Sequence, residues 1–329
     1  MKSRIKKISF QILGIAIAAI ILYFVVVKFG KYWTEISGEL ASANWLLMLC
    51  GIFLTGIGVA SITFIWQMIM RTMYGVNVPF YRGLTMIFLP NIARYIPGKI
   101  WFIFGIIYFA KKWSLDVAAA FTASLMAHII FLMVGTIFGL IIVGSSSFTI
   151  IPIWILLPVL LVLAFFVLRP AIIHKLLAFT LKFTGKESHA KTPPPMKANV
   201  IVFGAFVAII MWLLMGLGIM LCMQSVFPQF SWNNYFSVTG AFSFSYIISY
   251  LTIITPAGLG IREGVMLYTL PTSISEAHRA FLAIGSRVWM MLSEIILLAL
   301  IVAILFLKGE IRKNPDCEPS VCKENTDGR

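Results

Sequence analysis

Charge is what this sequence has least of. Only 12% of its 329 residues are Asp, Glu, Lys or Arg, while 60% are hydrophobic and the mean hydropathy is +0.97. That leaves too little polar surface to coat a water-soluble globule, so the chain reads as an integral membrane protein. Acidic residues are the scarcest: aspartate occurs only at Asp116, Asp316 and Asp327, and the four histidines are scattered. Chemistry on a lipid phosphate calls for clustered carboxylates around a divalent metal, or for a nucleophilic histidine, and no such constellation is visible. Nor is there a Gly-x-x-x-x-Gly-Lys loop to hold a nucleotide. No enzyme activity, cofactor or resident metal is expected. The four cysteines make no disulfide framework: Cys50 and Cys222 fall in apolar runs, and Cys317 and Cys322 lie in a polar tail without a histidine close by.

What is present is apolar length. Six runs reach the extent a helix needs to cross a bilayer: Ile8 to Val27, Asn44 to Met70, Val117 to Val143, Ile150 to Leu168, Val200 to Met223 and Ala280 to Leu307. Runs of this length exclude an outer-membrane barrel, whose strands alternate over about ten residues. The N-terminus has a basic start but no short apolar core ending in a cleavage site, and reads as a retained first span. Two further apolar regions, Gly83 to Ala110 and Phe236 to Leu270, are broken centrally by proline, glycine and charge.

The formal charge of +14 is carried in the loops, where it sets topology and meets anionic headgroups, so nucleic acid is not an expected partner. Lys2, Arg4, Lys6 and Lys7 place the N-terminus in the cytoplasm, and two spans return the chain there at Arg71 and Arg82. If Gly83 to Ala110 dips in and turns back, Lys111, Lys112 and the basic loop from Arg169 to Lys197 are cytoplasmic too; if it crosses, all of them lie outside. Re-entry is the expectation. The resulting fold is all-α: a polytopic helical protein of the plasma membrane, with six full spans and two re-entrant broken-helix segments arranged as inverted repeats. Residues 1–309 form the membrane domain, with halves 1–143 and 150–309 and a cytoplasmic linker, 169–198, that begins as an interfacial helix over 170–183. Residues 310–329 are a polar cytoplasmic tail, so both termini are cytoplasmic.

Backbone that leaves the helical ladder at membrane depth must line a wet cavity or be buried in protein. Pro90, Pro97 and Gly98 supply such breaks in the first segment, and Pro256, Gly258 and Gly260 in the second. Half-helices ending there turn their positive ends inward, and Arg94, Lys99 and Arg262 add formal positive charge suited to a phosphate. Snorkelling to lipid phosphates is the alternative reading for these basic residues. In the last span, Arg287 and Glu294 share a face two turns apart, too far to pair, so both need partners elsewhere; Arg262, Glu263 and Arg94 are the candidates. Glu294 is open to a fixed ion-pair network, to proton coupling or to substrate contact. His128 either relays a proton or is hydrogen-bonded between helices. Trp33, Trp45, Trp113 and Trp232 read as an interfacial belt.

The stretches "RYIPGKIW" (Arg94 to Trp101) and "TPAGLGIREG" (Thr255 to Gly264) resemble the paired motifs of the lysylphosphatidylglycerol synthase transmembrane-region family, over nearly the whole chain up to about Lys308. That resemblance implies a flippase-like protein that moves anionic phospholipids or polyprenyl-phosphate-linked lipids between leaflets, often beside glycosyltransferases or other envelope enzymes. In the best-known members a soluble aminoacyl-transferase domain follows; here the chain runs some twenty residues past the last span, and synthase activity is not expected. The second motif reads Pro-Ala-Gly where the family pattern has Pro-Gly-Gly. From the breaks and the buried charge, the candidate substrate contacts are Arg94, Lys99, Arg262, Glu263 and Arg287, and the candidate coupling residues are Glu294 and His128. A membrane enzyme acting on lipid phosphates, and a non-transporting scaffold, remain the competing readings.

Overall fold

A computed structural model of the chain describes residues 23, 27, 30, 33–92, 100–144, 153–172, 175, 195–252 and 258–310. Among these residues all extended regular structure is helical. The helices are α1 (Trp33–Ala41), α2 (Trp45–Ala60), α3 (Ile62–Tyr74), α4 (Phe80–Ile92), α5 (Ile100–Lys112), α6 (Val117–Gly144), α7 (Ile153–Leu168), α8 (Ala198–Val226), α9 (Tyr235–Leu251), α10 (Ile261–Thr269) and α11 (Glu276–Leu307).

Four stretches are long and apolar enough to cross a membrane: Trp45–Tyr74, in which α2 and α3 follow one another, then Val117–Ile141, Ala198–Val226 and Glu276–Leu307. They coincide with four of the six expected spans. The expected span Ile8 to Val27 and the interfacial helix over 170–183 lie almost wholly outside the described residues. Helix α7 gives the expected fourth span 16 described residues, about 24 Å of helix.

The ends of the bundle are fixed by a few contacts. At one end the N–H of Asn44 donates to the carbonyl of Ser225 at 2.8 Å, and the His278 ring packs on Phe227 with centroids 4.5 Å apart. At the other, Tyr81, Arg82 and Trp113 converge on Glu310. Helices α2 and α8 are therefore antiparallel. Arg71, Arg82, Lys111, Lys112, Lys197 and Lys308 all sit at the Glu310 end, whereas Arg279 sits at the other.

The α2–α8 seam owes its closeness to glycine. A Cβ added at Gly51 would fall 2.5 Å from the carbonyl oxygen of Gly218, and one at Gly218 would fall 2.2 Å from Oγ1 of Thr55. Small residues let helix backbones touch in a membrane, where no water is expelled and van der Waals contact supplies the attraction. Around this seam Trp212 lies flat on Phe131, with centroids 4.4 Å apart, and donates Nε1–H to the Phe131 carbonyl at 3.1 Å. Trp66 likewise donates to Oγ of Ser124 at 3.0 Å. Each buried indole thus has its one donor satisfied.

Helices α4 and α5 pack on each other as a hairpin, with Gly105 against Pro90. Its open end is closed by the Arg82 guanidinium, 5.6 Å from the Trp113 ring centroid. Helices α9 and α10 form a second hairpin, which packs against α6 and α11.

Candidate functional site

The second hairpin turns on glycine. Gly258 and Gly260 have φ of 66° and 81°, backbone that L side chains rarely adopt. At Gly258 there is no space either, since a Cβ would lie 1.7 Å from Oγ of Ser249. The break expected at these two residues is therefore real, and Gly260 caps the N-terminus of α10. That start places Arg262 and Glu263 in the first turn of α10, both facing protein: Arg262 is 6% exposed and Glu263 1%.

The guanidinium of Arg262 rests against α9, 4.7 Å from the Phe242 ring centroid and 5.4 Å from that of Tyr246. Its Nη1 donates to Sδ of Met290 on α11 at 3.1 Å. Desolvated cation–π contacts of this kind are worth about 2 kcal/mol. Glu263 points to α11 instead, where Oε1 accepts from Nη1 of Arg287 at 2.6 Å. The other carboxylate oxygen, Oε2, is buried and has no hydrogen-bond partner. The first turn of α10 and Arg287 of α11 thus gather two cations and one anion between the helices.

Beside this cluster is a small cavity of about 20 Å³, lined by Asn91, His128, Phe131, Tyr246 and Met290 among others, room for about one water molecule. Tyr246 and Met290 face the cavity and also hold Arg262. His128, 4% exposed, donates from Nδ1 to the Ser124 carbonyl at 2.7 Å, and its ring stacks near Tyr250 with centroids 6.3 Å apart. Glu294 is buried on α11, two turns beyond Arg287. Of the candidate residues, then, Glu263 and Arg287 are brought into contact, Arg262 shares the first turn of α10 with Glu263, and His128 borders the adjoining cavity. Arg94, Pro97, Gly98, Lys99 and Pro256 lie outside the described residues.

Pro90, an expected break, lies inside a helix. Helix α4 runs through Pro90 and ends at Ile92. A proline in the last turn forfeits a single ladder bond, and Gly105 of α5 gives its ring a seat, so the helix continues. Asn91, which sequence reading passed over, is thereby carried to the cavity wall. Its signal was modest: an amide next to a helix breaker inside an apolar run.

The sequence profile for the lysylphosphatidylglycerol synthase TM region matches residues 11–297. The chain belongs to this family. The matched region takes in both hairpins and the whole charged cluster. A comparison with curated proteins finds no match.

A second polar cluster marks the base of the first hairpin in this family member. Glu310, 4% exposed, accepts from Nη2 of Arg82 and from the Tyr81 hydroxyl through Oε1, and from Nε1–H of Trp113 through Oε2. Burial alone would raise its pKa; the hydrogen bonds from Arg82 and Trp113 and the charge of Arg82 outweigh it and hold the carboxyl below the usual glutamate range. Glu310 reaches this position because Gly309, at φ 66°, closes α11 with bonds from Gly309 to Phe306 and from Glu310 to Leu305. Trp113 was expected in the interfacial belt. It is 9% exposed, its indole buried by the carboxylate that its N–H serves. Among the described residues no group of three or more His, Cys, Asp or Glu is placed to hold a metal ion.

Proposed function

We propose that this family member is a lipid translocase of the plasma membrane, moving an anionic phospholipid or a polyprenyl-phosphate-linked lipid between leaflets. The observation that carries the reading is the Arg262–Glu263–Arg287 cluster, with Arg262 and Glu263 buried and Arg287 partly so, next to a glycine break and one side chain away from the small cavity. A headgroup phosphate that must pass the low-dielectric interior needs fixed positive charge there, and burying the Arg262 guanidinium beside a partly buried Arg287 adds little to stability, because desolvation opposes folding.

The re-entrant, inverted arrangement is part of the same proposal. Helices α4 and α5 have 13 residues each, about 20 Å, short of the roughly 30 Å hydrocarbon core. Residues at both ends of the α4–α5 hairpin meet the same carboxylate, which favours a dip over a crossing. The packing pattern favours inversion. Exchanging α2 with α8, α4 with α9, α5 with α10 and α6 with α11 turns the α6–α9 contact into α11–α4, α6–α8 into α11–α2, α4–α5 into α9–α10 and α5–α6 into α10–α11, and every one of these pairs is in contact. The gathering of Arg71, Arg82, Lys111, Lys112 and Lys308 at one end favours cytoplasmic placement of that end.

A cavity of about 20 Å³ holds no headgroup, so translocation in this proposal requires the two hairpins to part. Any drive comes from an ion gradient or the lipid gradient itself, and a glycosyltransferase or another envelope enzyme supplies or consumes the lipid. The test is a liposome assay that follows fluorescent anionic phospholipids and polyprenyl phosphates between leaflets. Wild type moves at least one of them; Arg262→Ala and Arg94→Ala, with folding intact, slow movement at least tenfold. A new lipid species appearing instead makes the chain an enzyme, and no movement by well-folded protein makes it a scaffold.

A further inference from the structure

A second crevice lies on the flank of the bundle, away from the charged cluster. It has a volume of about 240 Å³ and is lined by Phe64, Gln67, Met68 and Arg71 of α3, Asn77 and Val78 of the following turn, and Phe203 of α8. Gly75 builds it. With φ at 69°, it ends α3 by bonds from Gly75 to Arg71 and from Val76 to Met70, and sends the chain back along the helix. Gln67 pins the returning strand by donating Nε2–H to the Val78 carbonyl at 2.7 Å.

Polarity in the crevice runs in one direction. Phe64, Met68 and Arg71 follow at helical spacing on one face of α3, over about 10 Å of rise. The Phe64 end is apolar: its ring sits 5.1 Å from that of Phe80, and Phe64 and Phe203 are exposed on the flank. The other end is polar, with Arg71 and Asn77 exposed at the basic end of the bundle. Among the described residues Arg71 makes no ion pair and no side-chain hydrogen bond.

We propose that this crevice binds one anionic phospholipid from the leaflet at the basic end, as a site separate from the Arg262–Arg287 cluster. The Arg71 guanidinium takes the phosphate through its planar fork, the Asn77 amide donates a further bond, and an acyl chain runs along Met68, Phe64 and Phe203. A soluble phosphate would use only the polar end and leave the apolar wall unfilled. An anionic lipid satisfies both, and in the headgroup layer the unpaired cation is matched by the negative surface potential of that leaflet.

Native mass spectrometry of the full chain in mild detergent, titrated with phosphatidylglycerol or phosphatidylcholine, tests the site; thermal unfolding of each variant verifies folding. Wild type is expected to retain one phosphatidylglycerol that Arg71→Ala loses, with affinity at least tenfold weaker. Lys112→Ala, a basic residue at the same end but outside the crevice, should retain it. Phe203→Ala should weaken retention without altering the preference for the anionic headgroup. Equal retention by Arg71→Ala and wild type overturns the proposal, as does equal retention of phosphatidylcholine. Displacement of the lipid by millimolar inorganic phosphate also overturns it, since the crevice would then be an ion site.

Discussion

Glu263 and Arg287 lie 24 residues apart in sequence and meet at 2.6 Å between α10 and α11. The contact joins the helix that follows the second break to the last span, and it leaves Oε2 of Glu263 buried without a partner. A charge placed this way contributes little to stability while its counter-ion is present and costs heavily when the counter-ion is removed.

Arg287→Met alone should therefore destabilise the fold by about 3–5 kcal/mol, because a bare carboxylate is left in the core. The double variant Glu263→Leu/Arg287→Met should recover most of that loss while translocation stays abolished. Thermal unfolding in detergent, set beside the liposome assay, reads both effects. A single variant as stable as wild type would mean that the pair is solvated.

The α2–α8 seam predicts a steric failure. At Gly51 an added methyl meets a backbone carbonyl, which cannot rotate away. Gly51→Ala should destabilise by about 1–3 kcal/mol, the range for overpacking. Gly38→Ala, where nothing lies within 4 Å of the added atom, should change little. The comparison of the two unfolding temperatures checks the geometry of the seam.

At the base of the first hairpin the pH dependence has a definite sign. The folded carboxyl of Glu310 titrates below its ordinary value, so its contribution is fully present above about pH 4.3 and is lost as pH falls through the depressed folded value. Unfolding temperature should fall with acidification over that window. Glu310→Gln should flatten this limb and lower stability at neutral pH; an unchanged acid limb in the variant would assign it to another group.

Ser114 has φ at 53°, where it closes α5 with bonds from Ser114 to Lys111 and from Leu115 to Ala110. Glycine is the residue this cap favours. Ser114→Gly should stabilise the protein by about 0.5–1 kcal/mol, measured as a rise in unfolding temperature.

Hydropathy and basic residues carried much of the fold. The four described spans lie within a few residues of their apolar runs, because hydrocarbon sets helix length directly. The grouping of Lys111 and Lys112 with Arg82 was legible for the same reason: charge cannot rest far from headgroups. Gly258 and Gly260 were legible as a break because their backbone needs glycine. Pro90 was misplaced, since whether a proline ends a helix depends on what receives its ring, and Gly105 stands 15 residues further on. Trp113 was misread because a tryptophan near a span end looks alike whether it meets lipid or a buried carboxylate 197 residues away. Rise per residue argued against Glu294 as the partner of Arg287 and left Glu263 as a candidate; that Arg287 meets it depends on the turn at Gly260.

The contact of Gly51 with Gly218 has a mechanical consequence. Where two helices touch main chain to main chain there is no cushion of side chains to shear, so sliding one along the other would drive carbonyl into carbonyl. The closeness continues two turns along, where a Cβ at Gly58 would meet the Met211 carbonyl oxygen at 3.2 Å. The pair is therefore keyed lengthwise, and α2 and α8 make a single strut against which the other helices pack.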